Sequence, residues 1–320
     1  AALEGFKAPM PMVYAGLYPM DSSEFDQLSK AIEKLTLNDS SVSVTKESSN
    51  ALGLGFRCGF LGLLHMDVFR QRLEQEYQAD VIITNPTVPF RARVKSKPDE
   101  DLICSNPSLF PEPGSIISLE EPVIRATLIT PAEYLGDIIT LCKNRRGVQE
   151  QMEYMDNDQV LFKYIMPLAE IVTDFYDDLK SMSKGYASLD YEPAGYREAD
   201  LVKLNFALNG NPVDALTTMV HRAKAEQVGR MLTLRLKNAL SRQQFEVAIQ
   251  AMVGSKVVAR ESLSAVRKNV LVKGGKTVGG GDVTRKKKLL ERQKEGKKRM
   301  KKVGNVELSQ EAFLSVIKGS

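Results

Sequence analysis

Apolar and polar positions recur along this chain in an order that repeats. Met12 to Tyr18 is apolar and bounded by Pro11 and Pro19, which predicts a strand. Asp21 followed by Glu24 has the form of a capping box. Phe25, Leu28, Ile32 and Leu35 then line one face of a helix. Val42-Ser43-Val44 alternates as a strand, and Ala51 to Phe56 reads as another, with glycines. Leu61 to Tyr77 predicts a second helix with Leu64, Val68 and Leu73 inward, and Asp80 to Thr84 predicts a strand stopped by Pro86. The order is βαββαβ, the ferredoxin-like split unit, within residues 1–92.

The same order returns. Val123 to Thr130 alternates as a strand. Thr130-Pro131-Ala132-Glu133 supplies a helix cap, an N1 proline and an N3 glutamate. Tyr134, Ile138 and Leu141 follow on one helical face, and Arg145-Arg146-Gly147 ends that helix with cations and a C′ glycine. Met152 to Met155 and Val160 to Ile165 predict a hairpin across Asp156-Asn157-Asp158. Leu168 to Met182 reads as a helix and Tyr186 to Tyr191 as the last strand. A second βαββαβ unit is therefore expected over 118–196. Residues 93–117 between the two, part of a Pro-, Ser- and acid-rich stretch from Lys95 to Glu121, read as a linker or long loop.

After Tyr196 the pattern changes. Leu201 to Leu208 predicts a strand and Asn209-Gly210 a tight turn. Asp214 to Lys224 and Gln227 to Leu240 read as helices, Phe245 to Ile249 and Lys256 to Arg260 as strands, followed by a short helix. Five glycines between Gly274 and Gly281 predict a flexible stretch. The expected fold class is thus α+β, with two ferredoxin-like units and a different α+β domain over 197–320.

Charge sharpens this picture. The run 285–302 holds eleven Lys or Arg against two Glu, a net +9. The whole chain is +4 and the last eighteen residues are −1, which leaves −4 on the first 284. A mildly acidic body with one concentrated cationic element points to a polyanionic partner, nucleic acid first. The run reads as a helix of ~27 Å at 1.5 Å per residue, with Leu289 and Leu290 almost its only apolar residues. It is expected to order on meeting RNA. Aromatics are not interleaved with its cations, so phosphate contact rather than base stacking is the expected mode.

Other signals bound the chemistry. The sequence shows no apolar run of the length that spans a bilayer and no signal-peptide pattern at Ala1, and it reads as a fragment or a processed product. Cys58, Cys104 and Cys142 are odd in number and widely spaced, which suggests a reducing compartment and neither a disulfide framework nor a zinc site. Gly53-Leu54-Gly55-Phe56-Arg57-Cys58-Gly59 puts Cys58 where a dinucleotide fingerprint needs its third glycine, so a turn is the better reading. Gly274-Gly275-Lys276-Thr277 imitates a phosphate loop, but Val270 stands where its first glycine belongs. His65 and His221 have no triad or HExxH spacing and read as structural, and Asp174, Asp177 and Asp178 as a solvated helix face.

Gly59-Phe60-Leu61-Gly62-Leu63-Leu64-His65-Met66-Asp67-Val68 resembles the third domain of translational GTPases of the elongation factor G class. Gly185-Tyr186-Ala187-Ser188-Leu189-Asp190-Tyr191, Asn209-Gly210-Asn211-Pro212-Val213-Asp214-Ala215-Leu216 and Gly296-Lys297-Lys298-Arg299-Met300-Lys301 resemble the LepA family, elongation factor 4. That resemblance covers essentially the whole chain. One stretch departs: of the family's usual Lys-Cys-Tyr-Gly-Gly-Asp before the basic run, Lys273 to Asp282 keeps Gly280-Gly281-Asp282. The resemblance implies two ribosome-contacting units shared with elongation factor G, then a family-specific domain that reaches tRNA. It implies a ribosome-dependent GTPase of back-translocation and rescue of stalled elongation, with GTP and Mg held in an upstream domain and no cofactor in these residues. Its implied partners are the ribosome and tRNA, with peripheral membrane association, no DNA and a monomeric state. Its implied place is the matrix side of the mitochondrial inner membrane, with a bacterial or plastid location as the alternative. The RNA-binding candidates are then Arg285, Lys286, Lys287, Lys288, Arg292, Lys294, Lys297, Lys298, Arg299, Lys301 and Lys302, with Arg267 and Lys268. Arg57, His65, Arg145 and Arg146 are candidates for ribosome contact. Two rival readings are a stand-alone RNA-binding or ribosome-assembly protein, and an enzyme with a nucleotide site around Gly53 to Gly62.

Overall fold

A computed structural model describes residues 10–111, 113–155, 158–172, 174–241, 245–266, 272–273, 276–277, 312–313 and 316. The chain divides into two compact units, residues 1–201 and 202–320. The cationic run 285–302 lies outside the described residues. Of the short helix expected after Arg260, Glu261 to Leu263 are strand instead, and the part beyond residue 266 lies outside the described residues.

The first unit opens with β1 (Val13–Pro19), α1 (Phe25–Asn38), β2 (Ser43–Ser49), β3 (Gly53–Phe60), α2 (Leu63–Tyr77) and β4 (Val81–Ile83). The strands form one antiparallel sheet in the order β2-β3-β1-β4, the ferredoxin-like arrangement. Asp21 caps a 3-10 turn ahead of α1, its carboxylate accepting from the backbone N–H of Ser23 at 2.9 Å. Leu28, Ala31, Ile32 and Leu35 then face a core shared with Leu17, Phe56, Phe60, Phe69 and Leu73. Each of the buried leucines, phenylalanines and Ile32 contributes roughly 1.5–3 kcal/mol by leaving water.

Two expectations change here. In α2 the inward set is Met66, Phe69 and Leu73, while Leu64 is 78 % and Val68 45 % exposed. Val68 and Leu73 are five residues apart, ~140° around a helix of 3.6 residues per turn, so they cannot share a face. The glycine-rich stretch around Gly55 is strand rather than turn. Phe56, Cys58 and Phe60 point to the core, while Gly55, Arg57 and Gly59 alternate onto the other face. A Cβ on Gly55 would lie 2.4 Å from the Tyr18 ring, and one on Gly59 2.6 Å from that of Tyr14. The space over those glycines is filled by tyrosines.

Residues expected as a linker are sheet. β5 (Phe90–Val94) and β6 (Lys97–Cys104) form an antiparallel hairpin. β5 pairs in turn with the start of β7 (Ile116–Pro131), a strand of 16 residues. β6 read as loop because it is a polar edge strand, the form in which charge discourages further pairing. Its Asp101 accepts from Arg93 at 2.8 Å.

The second repeat continues with α3 (Leu135–Asn144), β8 (Val148–Met155), β9 (Gln159–Pro167), α4 (Phe175–Met182) and β10 (Ser188–Glu198). The order β8-β9-β7-β10 matches that of the first repeat, with β5 and β6 added along the other part of β7. Thr130 and Pro131 remain in β7, paired with Val160 and Gln159, so Thr130 is not the cap expected of it. Phe162, Tyr164, Phe175, Leu179, Ile138 and Cys142 are buried at 0–1 % exposure.

The unit 202–320 takes up the chain with β11 (Leu201–Leu208), β12 (Asn211–Pro212), β13 (Thr218–His221), α5 (Ala225–Ala239), β14 (Val247–Val253) and β15 (Lys256–Leu263). Asn209 and Gly210 have φ of 50° and 90°, the left-handed pair of a tight hairpin turn. The expected helix over 214–224 is instead a strand between two 3-10 turns, and it pairs with β11. Thr218 and Val220 are β-branched, and Met219 buries one side of the strand. α5 lies close on the sheet at Gly229, where an added Cβ would stand 3.2 Å from the Ala251 Cβ. Beyond it β16 (Val272–Lys273) and β17 (Lys276–Thr277) pair, so the glycine-rich stretch from Gly274 is partly strand.

Candidate nucleic-acid interface

Four of the sequence-derived cationic candidates fall on described residues, and each has internal partners. Arg57 on β3 donates from Nε to Glu47 Oε2 on β2 at 3.0 Å. The same carboxylate accepts from the Tyr18 hydroxyl at 2.7 Å and from Asn106 Nδ2 at 3.0 Å. This cluster spans the outer sheet face of the first repeat and ties to it the segment that follows the β5–β6 hairpin.

His65 sits in the first turn of α2. Its Nδ1 accepts from the Leu61 backbone N–H at 3.2 Å, and its Nε2 lies 2.7 Å from Asp39 Oδ2. With Nδ1 as acceptor, Nε2 is the donor to Asp39. Gly62, the N-cap, has no side chain to offer, and His65 instead reaches back to the Leu61 N–H ahead of the helix. Burial pushes the Asp39 carboxyl up, but hydrogen bonds from Ser41 and His65 and the attraction of His65 outweigh it, so its pKa is lowered.

Arg145 and Arg146 diverge although adjacent. Arg145 donates to Asp178 on α4 at 2.7 Å. Arg146 is the left-handed residue that ends α3, with φ of 59°. Its N–H donates to Lys143 O at 3.0 Å, and Gly147 N–H to Cys142 O at 2.8 Å. The C′ position expected of Gly147 therefore belongs to Arg146, a position that usually costs a non-glycine residue about 1–3 kcal/mol. The Arg146 guanidinium offsets that cost with 2.8 Å bonds from both Nη atoms to the fully buried Glu121 carboxylate, and a 2.9 Å bond from Nε to Glu170. Burial opposes its charge, and Glu121 and Glu170 outweigh that, raising the Arg146 pKa.

Glu121 stands where one edge of β7 passes from β5, paired up to Glu120, to β9, paired from Val123. Arg146 fills this joint, so among the four it is the most deeply committed to holding the fold. Sequence reasoning missed Glu121, Glu170, Glu47 and Asn106. The spacing of strands hides which acids lie inward, and Glu121-Pro122 inside a long strand was the available signal.

The remaining chemistry is quiet. Burial pushes the Cys58 thiol up to about 12, with Glu47 adding to it, and the Cys142 thiol up to about 12. Neither is a nucleophile near neutral pH. No cluster of His, Cys, Asp or Glu suited to a metal occurs among the described residues. Among them, too, no helix is long and apolar enough to cross a membrane. A cleft of about 420 Å³ lies on the outer sheet face of the second repeat, lined by residues that include Arg125, Lys163, Asp190 and Tyr191. Arg125 is neutralised there by Glu150 at 2.9 Å and Glu192 at 3.1 Å. That mixed lining lacks the excess of donors an anionic ligand needs.

The comparisons with known proteins agree with this architecture. Residues 118–206 match the family described as the elongation factor G C-terminus, which places the second repeat in the class of translational factor domains. Residues 208–318 match the GTP-binding protein LepA C-terminus. Translation factor GUF1, mitochondrial, of Homo sapiens is 55% identical over 322 residues, 99% of this chain and 48% of its own length. The homologue in Physcomitrium patens is 57% identical over 318 residues, 99% of this chain and 46% of its own. That in Ricinus communis is 58% identical over 320 residues, 99% of this chain and 47% of its own. The chain belongs to the LepA family, and it spans about half the length of the curated relatives it matches.

Proposed function

We propose that this chain is the ribosome- and tRNA-binding portion of a mitochondrial translation factor. The observation that carries the reading is the segregation of charge. The candidate arginines of the described body are spent on Glu47, Asp178, Glu121 and Glu170, whereas 285–302 concentrates +9 within the stretch matched to the LepA C-terminus. Backbone phosphate is the partner that such a run suits. Arg267 and Lys268 add two more cations ahead of the run in sequence.

In this reading the whole protein is a ribosome-dependent GTPase acting in back-translocation and rescue of stalled ribosomes. GTP and Mg are held upstream of these residues, and the complete factor associates peripherally with the matrix side of the inner membrane as a monomer. The present chain contributes binding and no chemistry. Support comes from the names of its relatives and from the outer face of β3, where tyrosines occupy the room a nucleotide would need.

The test is ribosome binding measured against salt. Each phosphate contact contributes roughly −0.7 to −0.9 to the log–log slope. Replacing Lys286, Lys287, Lys288, Lys297 and Lys298 by Gln is expected to flatten the slope by about 3.5 to 4.5 units if all five reach phosphate. An unchanged slope with intact circular dichroism would reduce the run to a solvated tail. Micromolar GTP binding by this chain in calorimetry would contradict the absence of a nucleotide site.

A further inference from the structure

The motif Gly185-Tyr186-Ala187 has no role in the charge-based reading above. In the structure it builds an exposed aromatic surface at the end of α4. Lys184 and Gly185 both take left-handed backbone, with φ of 49° and 85°. The Gly185 N–H donates to Lys180 O at 2.7 Å and that of Lys184 to Ser181 O at 3.3 Å, a closed helix terminus. Ser183, fully buried, pins the turn from below. Its hydroxyl donates to Leu179 O at 2.7 Å and accepts from the Ala187 N–H at 3.0 Å.

This turn sets Tyr186 on Tyr134, the rings 6.4 Å apart and 13° from parallel. Tyr134 is buried at 8 % exposure, and Tyr186 is open at 68 %. The Lys184 ammonium stands 6.0 Å from the centre of the Tyr134 ring. The Lys180 ammonium sits 5.5 Å from that of Tyr176, itself 50 % exposed, and donates to Gly185 O at 3.3 Å. Among the described residues neither lysine has a carboxylate within ion-pair distance. Asp178 is engaged by Arg145, and Asp177, three residues before Lys180 on α4, makes no ion pair with it.

We infer that Tyr186, backed by Tyr134 and flanked by Lys184 and Lys180, is a stacking platform for an unpaired RNA base, the lysines taking the phosphates beside it. A flat ring held parallel on a second ring, on a pinned turn, presents a fixed π-face. Bases stack on such faces regardless of sequence. Unneutralised ammonium groups beside it favour an aromatic ligand that is also anionic, which a nucleotide is and an apolar protein surface is not. The inference deepens the ribosome-binding reading and rests on it for the identity of the RNA.

Two measurements separate the platform from that reading. The first is binding of this chain to purified ribosomes, with dimethyl sulfate probing of the ribosomal RNA. Tyr186→Ala is expected to weaken binding by about 5- to 150-fold, the range one base stack covers, and to restore reactivity at an unpaired base. Tyr186→Phe should keep both at the wild-type level. The second uses an adenylate hexamer carrying one 2-aminopurine. Wild type and Tyr186→Phe should quench its fluorescence on binding, and Tyr186→Ala should not. Circular dichroism checks that the variants fold, and the ring is exposed enough that they should. Ribosome binding that Tyr186→Ala leaves unchanged overturns the platform, as does a wild type that fails to quench. Weaker ribosome binding without any base protection or quenching would assign the surface to a protein and overturn it equally. Quenching by a wild type that does not bind ribosomes would uphold the platform and sink the ribosomal reading.

Discussion

The two βαββαβ repeats share a strand order and differ in where they keep charge. The first holds Glu47 on its outer sheet face at 10 % side-chain exposure, with Tyr18, Arg57 and Asn106 gathered around it. The second places Glu121 wholly inside, at the joint of β7, and answers it with Arg146, aided by Arg197 at 3.4 Å. One topology thus accommodates two kinds of ion cluster. A carboxylate with several donors, as Glu47 has, can lose one and keep the others. A buried carboxylate held chiefly by a bidentate arginine cannot, because desolvation of an unpaired charge costs more than the pair returns.

The sharpest test of this contrast is Arg146→Ala. It leaves Glu121 buried with Arg197 as its remaining arginine, and the expected loss is about 3–5 kcal/mol in denaturant unfolding. Arg57→Ala removes the corresponding arginine from the first repeat. Glu47 keeps its bonds from Tyr18 and Asn106, so the expected loss is smaller, about 1.5–3 kcal/mol. Equal losses would break the comparison.

Gly55→Ala probes the outer face of the first sheet by itself. The new methyl would meet the Tyr18 ring at 2.4 Å and Leu17 O at 2.6 Å. A cost of about 1–3 kcal/mol is expected from such overpacking. Gly136, which has open space around it, should accept alanine with little change or a gain, since its helix gains propensity.

The smallest effect concerns pH. The folded pKa of Asp39 lies below its ordinary value of 3.8, so its contribution is complete above that value and is lost as pH falls through the folded one. Asp39→Asn should therefore lower the melting temperature at pH 5. The gap to wild type should close as pH falls toward 3. A gap that widened on acidification would contradict the lowered pKa.

Much of the fold was legible from periodicity and turn chemistry. β11 and the Asn209-Gly210 turn stand where the alternation and the turn pair put them, because a tight hairpin turn demands left-handed residues that few side chains allow. α1 was readable from Leu28, Ile32 and Leu35, since a helix with one buried side must repeat near 3.6 residues. The hairpin over 90–104 was not readable, because an edge strand such as Lys97 to Leu102 needs no apolar side and resembles a loop. The strand Thr218–His221 was hidden in a helix-like composition, and its pairing with β11 decided it.

The candidate site divides the same way. Composition located the basic run, since net charge needs no coordinates, and the glycine-tyrosine motif stood out through its resemblance to the LepA family. Composition could not tell a cation that faces a phosphate from one that holds a carboxylate, and Arg57, Arg145 and Arg146 had the same standing in the sequence as surface arginines. Their partners Glu47, Asp178 and Glu121 lie 10, 33 and 25 residues away. Pairings at that range are set by which strand faces and helix ends the core brings together. The order of elements and the polarity of the chain follow from local chemistry in the sequence. The use of each charge was decided by tertiary structure, because burial fixes whether an ion must be answered from within.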